Sequence, residues 1–454
     1  MSPVRLQRKI SLPGAVFLLV GHIVGASIFI LPGELAQVAG PAVFLAYLVA
    51  GLPAIVNCLI AAQVGSILPV SAADYVFTAL VLNPFVGFLK VWVGMIGLLI
   101  GVPILAFGFA EYMAYFLPAV PRLVLAMFVV LAILVVNLLG LRASVRTQML
   151  LVSFFVATLL IFGIGGALHL ATGPGTANLV PLVPNGLDSL WSAAVPAFYS
   201  YSGFLAIVVI GEEIREPERN IPLTLLFAFA IITTLYALVT FVLPGVLPWR
   251  EIGTLVAPMS TAAAQFLPPW FGVVITLAAV TAAATSINTL VLTTSRSFFA
   301  LARNQVLPSG LGRISPRTQE PFVAIVFACA LGLLGVSIQG EILEYASMTV
   351  IGSMLYGIVW AVALTRLPSR LPEHYAGARF RVSRAGIWAI AILKIAISAF
   401  FLYYGIRDNP VATALYGALL ALGGAYYLLR SRHLERIGVS LARVLRAETD
   451  PAPT

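Results

Sequence analysis

Long apolar runs recur along the whole chain, and they constrain its fold more than any other feature. A helix that crosses a bilayer needs about 20 mostly apolar residues, and twelve stretches approach or exceed that length. They are predicted at residues 13–37, 41–67, 84–116, 122–140, 145–170, 188–213, 221–247, 270–302, 321–338, 342–366, 386–406 and 411–430. Because a helix satisfies its own backbone groups in lipid, the sequence predicts an all-α polytopic membrane protein with twelve transmembrane helices.

The composition agrees with this prediction. Hydrophobic residues make up 61% of the chain and charged residues 9%, whereas soluble proteins carry roughly 25% charged residues. The segments between the predicted spans are too short for a soluble sensing domain, which argues against a receptor. Cys58 and Cys329 both fall inside apolar spans, so they are predicted to be packing residues and not a structural disulfide.

The positions of lysine and arginine predict the orientation. With the N-terminus inside, 22 of the 26 basic residues are cytoplasmic, three are outside, and Lys394 lies within span eleven. The three outside are Arg122, Arg250 and Arg407. This asymmetry follows the positive-inside rule, so residues 1–12 and 431–454 are expected to be cytoplasmic in a protein of the cell inner (cytoplasmic) membrane. The net charge of +9 is then a topology signal. The lipid bilayer is the expected partner, and a nucleic acid is not needed to explain the charge.

Two of the predicted spans are interrupted by small residues. The first contains G-H-I-V-G-A-S-I-F-I-L-P-G at residues 21–33, and the sixth contains P-A-F-Y-S-Y-S-G-F at residues 196–204. A broken helix is tolerated in lipid only where it lines a protein cavity. Spans one and six are five apart and so run in opposite directions, which is typical of the paired broken helices at a transport site. The alternative is that glycine and serine let helices pack closely.

These motifs resemble those of the amino acid–polyamine–organocation (APC) superfamily. The resemblance begins with residues 21–33 and the A-G-P at 39–41. It continues with E-E-I-R-E-P-E-R-N-I-P at 212–222 and with S-I-N-T-L-V-L-T-T-S-R-S-F-F-A-L-A-R-N-Q-V-L-P at 286–308. It implies the LeuT-type fold and alternating access for a small amino acid or amine.

The LeuT-type fold assigns a place to each predicted span. The resemblance implies two inverted five-helix repeats, at residues 13–170 and 188–366, and two peripheral helices at residues 386–430. Residues 431–454 follow as a tail. The oligomeric state is not predicted.

The resemblance also implies roles for individual residues. Free amides in span one receive a substrate carboxylate, and carbonyl groups in span six receive its amino group, with Tyr199 at the aromatic gate position. The implied substrate-binding residues are Gly25, Ala26, Ser27, Ile28, Tyr199, Ser200, Tyr201, Ser202, Gly203 and Phe204. An inner gate network is expected from Glu212, Glu213 and Arg296.

Three positions depart from the family pattern. Ser27 stands where glycine is usual, His22 stands where a small or amide residue is common, and Phe155 replaces a lysine that many members carry in span five. Without that lysine, the place of a sodium ion is either vacant or filled by a cation. Hydroxyls of Thr285 and Ser286 with the Val24 carbonyl would form a sodium site, unless the hydroxyls bond back to their own helix.

The coupling ion is therefore left open between Na⁺ and H⁺, with His22 as the candidate proton carrier. Exchange without ion coupling is a third alternative. No other cofactor is expected.

The substrate is expected to be a neutral amino acid, because the broken stretches contain no acidic residue. An amine, polyamine or cationic amino acid antiporter is the alternative, since Glu34 and Glu111 lie toward the outer ends of spans one and three. Lys394 is expected to make a structural pair or an oligomer contact. No H-E-x-x-H or G-x-S-x-G motif and no selectivity filter is visible, which argues against an enzyme and a channel.

Overall fold

A computed structural model describes residues 10–67, 77–79, 81–140, 145–173, 177–204, 207, 214–303, 305–318, 320–378 and 380–436. The helices that concern us are α1 Leu12–Ile23, α2 Ser27–Ala39, α3 Val43–Ile67, α4 Pro84–Met113, α5 Arg122–Leu138, α6 Val145–Thr172, α7 Gly186–Ala197, α8 Pro217–Val246, α9 Trp249–Ile252, α10 Pro258–Ala263, α11 Phe271–Arg303, α12 Phe322–Ile338, α13 Ile342–Arg370, α14 Pro372–Gly377, α15 Arg384–Asp408 and α16 Pro410–Arg436. Within these ranges the β-structure consists of one isolated bridge between Ile10 and Ile214. The prediction of an all-helical chain is confirmed.

The helices agree with the predicted membrane spans in part, and the number of twelve transmembrane helices stays a prediction. Eight helical stretches among the described residues are long and apolar enough to cross a bilayer, and α1, α5 and α12 are shorter apolar helices. The first predicted span corresponds to α1 and α2 together. The described part of the sixth consists of α7 and a 3₁₀ turn at Phe198–Tyr201. The arrangement of two inverted five-helix repeats stays a prediction.

The first span breaks between α1 and α2 because its backbone leaves the helical path. Val24 has φ −72° and ψ 78°, and the Gly25 amide bonds to the carbonyl of Ile23 at 2.8 Å, two residues back instead of four. Helix α2 then begins at Ser27, and Ala26 in front of it provides no side-chain cap. The predicted interruption of the first span is therefore present at Val24–Ala26.

The second break follows α7. After the 3₁₀ turn, Ser202 is extended with φ −70° and ψ 141°, and Gly203 has a φ of +118°, a conformation that side chains disfavour. A Cβ at Gly203 would lie 2.9 Å from Cδ2 of His22. The two breaks therefore meet inside the bundle.

The remaining helices build a frame around the breaks. Helix α3 packs along α8, α4 packs against α11 and α13, and α13 packs along α15. The end of this bundle where α1 begins is called the N-terminal face here, and the end where α2 finishes is the opposite face. Cys58 and Cys329 are free and buried, as predicted.

Lys394 is placed differently from the sequence expectation. Its side chain is fully buried on α15 and lies over Gly357 of α13, next to Ser398. It is therefore not available for a contact with another chain, and the oligomer interpretation is wrong. The alternative, a structural pair, is not found either, because its Nζ has no hydrogen-bond partner among the described residues.

Candidate functional site

The start of α2 presents free backbone donors at the first break. The Ala26 carbonyl accepts the amides of Phe29 at 3.0 Å and Ile30 at 3.2 Å. The amides of Ser27 and Ile28 are the first helical positions, and they have no acceptor within the helix. These donors and the positive end of the helix dipole favour a negatively charged group. The first break can therefore bind an anion through the segment Gly25, Ala26, Ser27 and Ile28.

Helix α11 approaches the same break through Ser286. A Cβ at Gly25 would lie 2.6 Å from the Ser286 Oγ, so the hydroxyl stands directly beside the glycine. The neighbouring Thr285 hydroxyl donates to the carbonyls of Thr281 at 2.9 Å and Ala282 at 3.0 Å. A hydroxyl that donates its proton to a backbone carbonyl still has lone pairs on its oxygen. Thr285 can therefore make these bonds within its own helix and also bind a cation.

The two breaks are joined by a tyrosine that the sequence analysis did not single out. The Tyr236 hydroxyl of α8 lies 3.1 Å from the carbonyl oxygen of Ile23 and 3.0 Å from that of Ser200. Its side chain is fully buried. One hydroxyl has a single proton to donate, so the two carbonyls share it. The signal in the sequence was one tyrosine in the membrane-spanning helix Pro217–Val246.

Two further tyrosines surround this hydroxyl. The Tyr47 hydroxyl lies 3.4 Å from the Ser200 Oγ. The Tyr236 ring meets the rings of Tyr47 and Tyr201 edge-on, with centroids 5.8 and 5.2 Å apart. Ser200 and Tyr201 therefore turn their side chains toward α3 and α8, and only their backbone groups remain to face a ligand at the break.

Tyr199 points in the other direction, across the bundle. Its hydroxyl lies 2.9 Å from the position that a Cβ would take at Gly101 of α4, and Leu290 of α11 reaches the same place. The side chain is half-buried. The predicted gate residue thus connects the second break to α4 and α11, where Gly101 leaves room for its ring.

The other predicted residues differ in exposure. Ser202 and His22 are exposed, whereas Val24 and Phe204 are buried. The Phe204 ring lies 6.1 Å from that of Phe229. The exposed imidazole rests against Gly203, so His22 is accessible from the space beside the second break.

The structure describes only some of the residues predicted to form the inner gate and the ion-coupling site. Glu212 and Glu213 lie outside the described residues, so the inner gate network stays a prediction, and Arg296 is exposed on α11. Phe155 is buried on α6, one turn beyond Val152, which packs against Gly21. The position at which the family resemblance implies a lysine is thus apolar here.

Between the site and the opposite face lies a layer of side chains from α2 and α4. Phe29 is fully buried, and its carbonyl accepts the Tyr112 hydroxyl at 2.7 Å. The two rings meet edge-on at 6.3 Å. Ile30 fills the space over Gly108. A ligand at the start of α2 is therefore shielded from the opposite face by this layer.

Comparison with known proteins identifies the class. Residues 10–429 match the amino acid permease family. The chain therefore belongs to the amino acid permeases of the APC superfamily.

Individual relatives carry different cargoes. The chain is 26% identical over 389 residues to the branched-chain amino acid permease BcaP of Bacillus subtilis, covering 81% of this chain and 82% of that protein. It is 28% identical to the vacuolar cationic amino acid transporter 4 of Arabidopsis thaliana, covering 78% and 62%. It is 26% identical to the methylthioribose transporter of Bacillus subtilis, covering 94% of each.

Proposed function

We propose that this protein is a secondary active transporter that moves a small neutral amino acid across the cytoplasmic membrane by alternating access. The observation that carries the proposal is the meeting of the two broken segments at the Tyr236 hydroxyl. Amides at the start of α2 suit a carboxylate, and backbone carbonyls of the 3₁₀ turn suit an ammonium group. An α-amino acid presents both groups on one carbon.

The neutral character of the substrate follows from the surroundings of the breaks. Apart from the His22 imidazole, the described side chains there are apolar, aromatic or hydroxyl-bearing, and none of them is a carboxylate that a cationic side chain would need. The branched-chain permease among the relatives agrees with this choice. The alternative is a cationic amino acid or amine antiporter, favoured by the cationic amino acid transporter and by Glu34 and Glu111 near the opposite face.

We further propose the membrane orientation and the coupling. The N-terminal face is cytoplasmic in the cell inner membrane, and the opposite face is outside, because basic residues concentrate at the former. Residues 13–170 and 188–366 move as two inverted repeats. Coupling to an ion is preferred over pure exchange, since the Ser286 hydroxyl lies beside the first break and Thr285, its neighbour on α11, carries a second hydroxyl.

Reconstituted uptake tests this proposal. The purified chain in proteoliposomes is given radiolabelled L-leucine, L-arginine or methylthioribose, with protein-free liposomes as the control. We expect saturable L-leucine uptake that internal unlabelled leucine stimulates. Saturable uptake of L-arginine alone would support the antiporter instead, and uptake of neither amino acid would overturn the proposal.

A further inference from the structure

An apolar groove lies between α3 and α8, away from the two breaks. Its volume is about 490 Å³. Leu59 of α3 and Leu226 of α8 line the groove and are exposed on the protein surface. The helical stretches that contain α3 and α8 are long and apolar enough to cross a bilayer. The groove therefore faces lipid, and its occupant comes from the membrane.

One wall of the groove is formed by Phe380, which two polar side chains of α3 hold in place. Gln63 donates to the Phe380 carbonyl at 3.1 Å and accepts the Val382 amide at 2.7 Å. The Ser66 hydroxyl donates to the same carbonyl at 3.0 Å. Gln63 is fully buried. The segment that contains Phe380 is thus fixed to the end of α3, and the shape of the groove is fixed with it.

The charged side chains of the groove lie at one end of it. Glu218 and Arg219 line the groove and belong to the first turn of α8. Just before them, the Arg215 amide bonds to the carbonyl of Ile10 at 2.9 Å, which places this end at the N-terminal face. The apolar part extends from there toward the middle of the bilayer. A phospholipid has the same arrangement, with a polar headgroup at the membrane surface and acyl chains below it.

The two charged side chains select among phospholipid headgroups. Arg219 pairs with Glu216 at 3.6 Å, and both side chains are 61% exposed, so this surface pair contributes little free energy. The Arg219 guanidinium has five N–H donors and keeps several of them for a phosphate group. Glu218 beside it accepts hydrogen bonds from a primary ammonium group. A headgroup that carries both a phosphate and an ammonium group therefore fits, and this is the chemistry of phosphatidylethanolamine.

From this geometry we propose that the groove is a phospholipid site. An acyl chain lies between α3 and α8, Arg219 binds the phosphate, and Glu218 binds the ammonium group of phosphatidylethanolamine. Burial of the acyl chain against both helices stabilises their packing. Because α8 also carries Tyr236, which joins the two breaks, the lipid stabilises the frame around the central site.

Native mass spectrometry of the purified, delipidated full chain tests the site. Dioleoyl phosphatidylethanolamine is compared with the phosphatidylcholine and phosphatidylglycerol that carry the same acyl chains. We expect one ethanolamine lipid per chain to bind about tenfold more tightly than the other two, the effect of one hydrogen bond to a charged group. Phosphatidylcholine has no N–H to donate to Glu218, and phosphatidylglycerol has no cation. Equal binding of the three lipids, or tighter binding of phosphatidylglycerol, would overturn the proposal.

Variants separate the headgroup contacts from the groove itself. Arg219→Gln and Glu218→Gln change exposed side chains and should each weaken binding of the ethanolamine lipid about tenfold. Leu59→Trp fills the groove from its rim and should abolish binding. Leu52→Trp is the matched control, because Leu52 is also exposed on α3 but does not line the groove. Arg366→Gln removes an exposed arginine outside the groove and should bind like the wild type. Wild-type binding by Arg219→Gln or by Leu59→Trp would overturn the site.

Thermal unfolding in detergent gives a second readout. A ligand that binds the folded state raises its melting temperature, so added phosphatidylethanolamine should stabilise the wild type and Leu52→Trp but not Leu59→Trp. The melting temperatures without lipid show whether each variant is folded. Both measurements are made without substrate. A chain that transports leucine but shows no preference for the ethanolamine lipid would overturn the lipid site and leave the proposed function standing.

Discussion

Gly203 packs directly against His22, so the second break of the chain touches the first. A Cβ at Gly203 would lie 2.9 Å from the imidazole Cδ2, and the φ of +118° already excludes most side chains. This contact explains why a residue without a side chain stands at the end of the second broken segment. It also places an ionisable ring where the two broken segments meet.

Gly203→Ala is expected to lower thermal stability and uptake. The backbone strain alone costs about 1–3 kcal/mol, and the contact with His22 adds to it. Gly186→Ala is the control, because Gly186 also has a positive φ of +79° but nothing within 4 Å of a Cβ. Thermal unfolding of both variants measures the difference. Equal losses in the two proteins would show that the His22 contact contributes nothing.

Tyr236→Phe should weaken substrate binding and transport. It removes the hydroxyl that holds the carbonyls of Ile23 and Ser200 together. A buried hydrogen bond contributes about 1 kcal/mol to stability, and the affinity falls roughly fivefold when substrate binding has to supply that free energy to restore the geometry of the site. Tyr416→Phe is the matched control, since its buried hydroxyl has no hydrogen-bond partner among the described residues. Leucine affinity in the two variants is the measurement. An unchanged affinity in Tyr236→Phe would contradict the joining role.

Gly25→Leu should abolish uptake while the protein remains folded. The new side chain would enter the space next to the Ser286 hydroxyl and block the amides of Ser27 and Ile28. Gly417→Leu makes the same change where a Cβ has nothing within 4 Å, and it should transport normally. Retained wild-type affinity in Gly25→Leu would rule out the first break as the substrate segment.

Ion coupling is tested at α11. If sodium binds beside the first break, uptake rises with external sodium, and the double change Thr285→Val with Ser286→Ala removes that dependence by deleting two oxygen ligands. Thr294→Val is the control, because it deletes a buried hydroxyl further along the same helix. Initial uptake rates with sodium or choline outside provide the measurement.

A proton carrier gives a different result in the same assay. Uptake would then depend on pH near neutrality, and His22→Asn would flatten the profile. Uptake that ignores both sodium and pH, and that is strongly stimulated by internal substrate, would show exchange without ion coupling and would contradict the proposal.

Lys394→Met should raise thermal stability and leave uptake unchanged. A charged side chain at the centre of a membrane helix costs about 2.5–3.5 kcal/mol, and among the residues that the structure describes Lys394 has no hydrogen-bond partner to offset this cost. Lys90→Met is the contrasting variant, because the Lys90 ammonium lies 4.8 and 5.0 Å from the ring centroids of Tyr356 and Trp360. Its loss should lower stability. A destabilised Lys394→Met protein would mean that Lys394 has a favourable role.

The sequence by itself determined the helical class and the places of the helices. Hydropathy depends on composition over some 20 residues, so the apolar runs predicted every described long helix without knowledge of its neighbours. The break at residues 24–26 was also readable, because glycine and serine inside an apolar run weaken a helix locally. The family followed from the same motifs.

Only the tertiary structure decided which groups meet. Tyr236 joins Ile23 and Ser200 across 213 and 36 residues of chain, and such contacts leave no local pattern. The side chains of Ser200 and Tyr201 pack against α3 and α8, and the role predicted for their carbonyl groups stays a prediction. Glu34, Glu111 and Arg122 belong to three helices, and Lys394 Nζ has no hydrogen-bond partner in the described part of the chain. Each outcome depends on the rotation of one helix against another, which is set by packing along the whole interface.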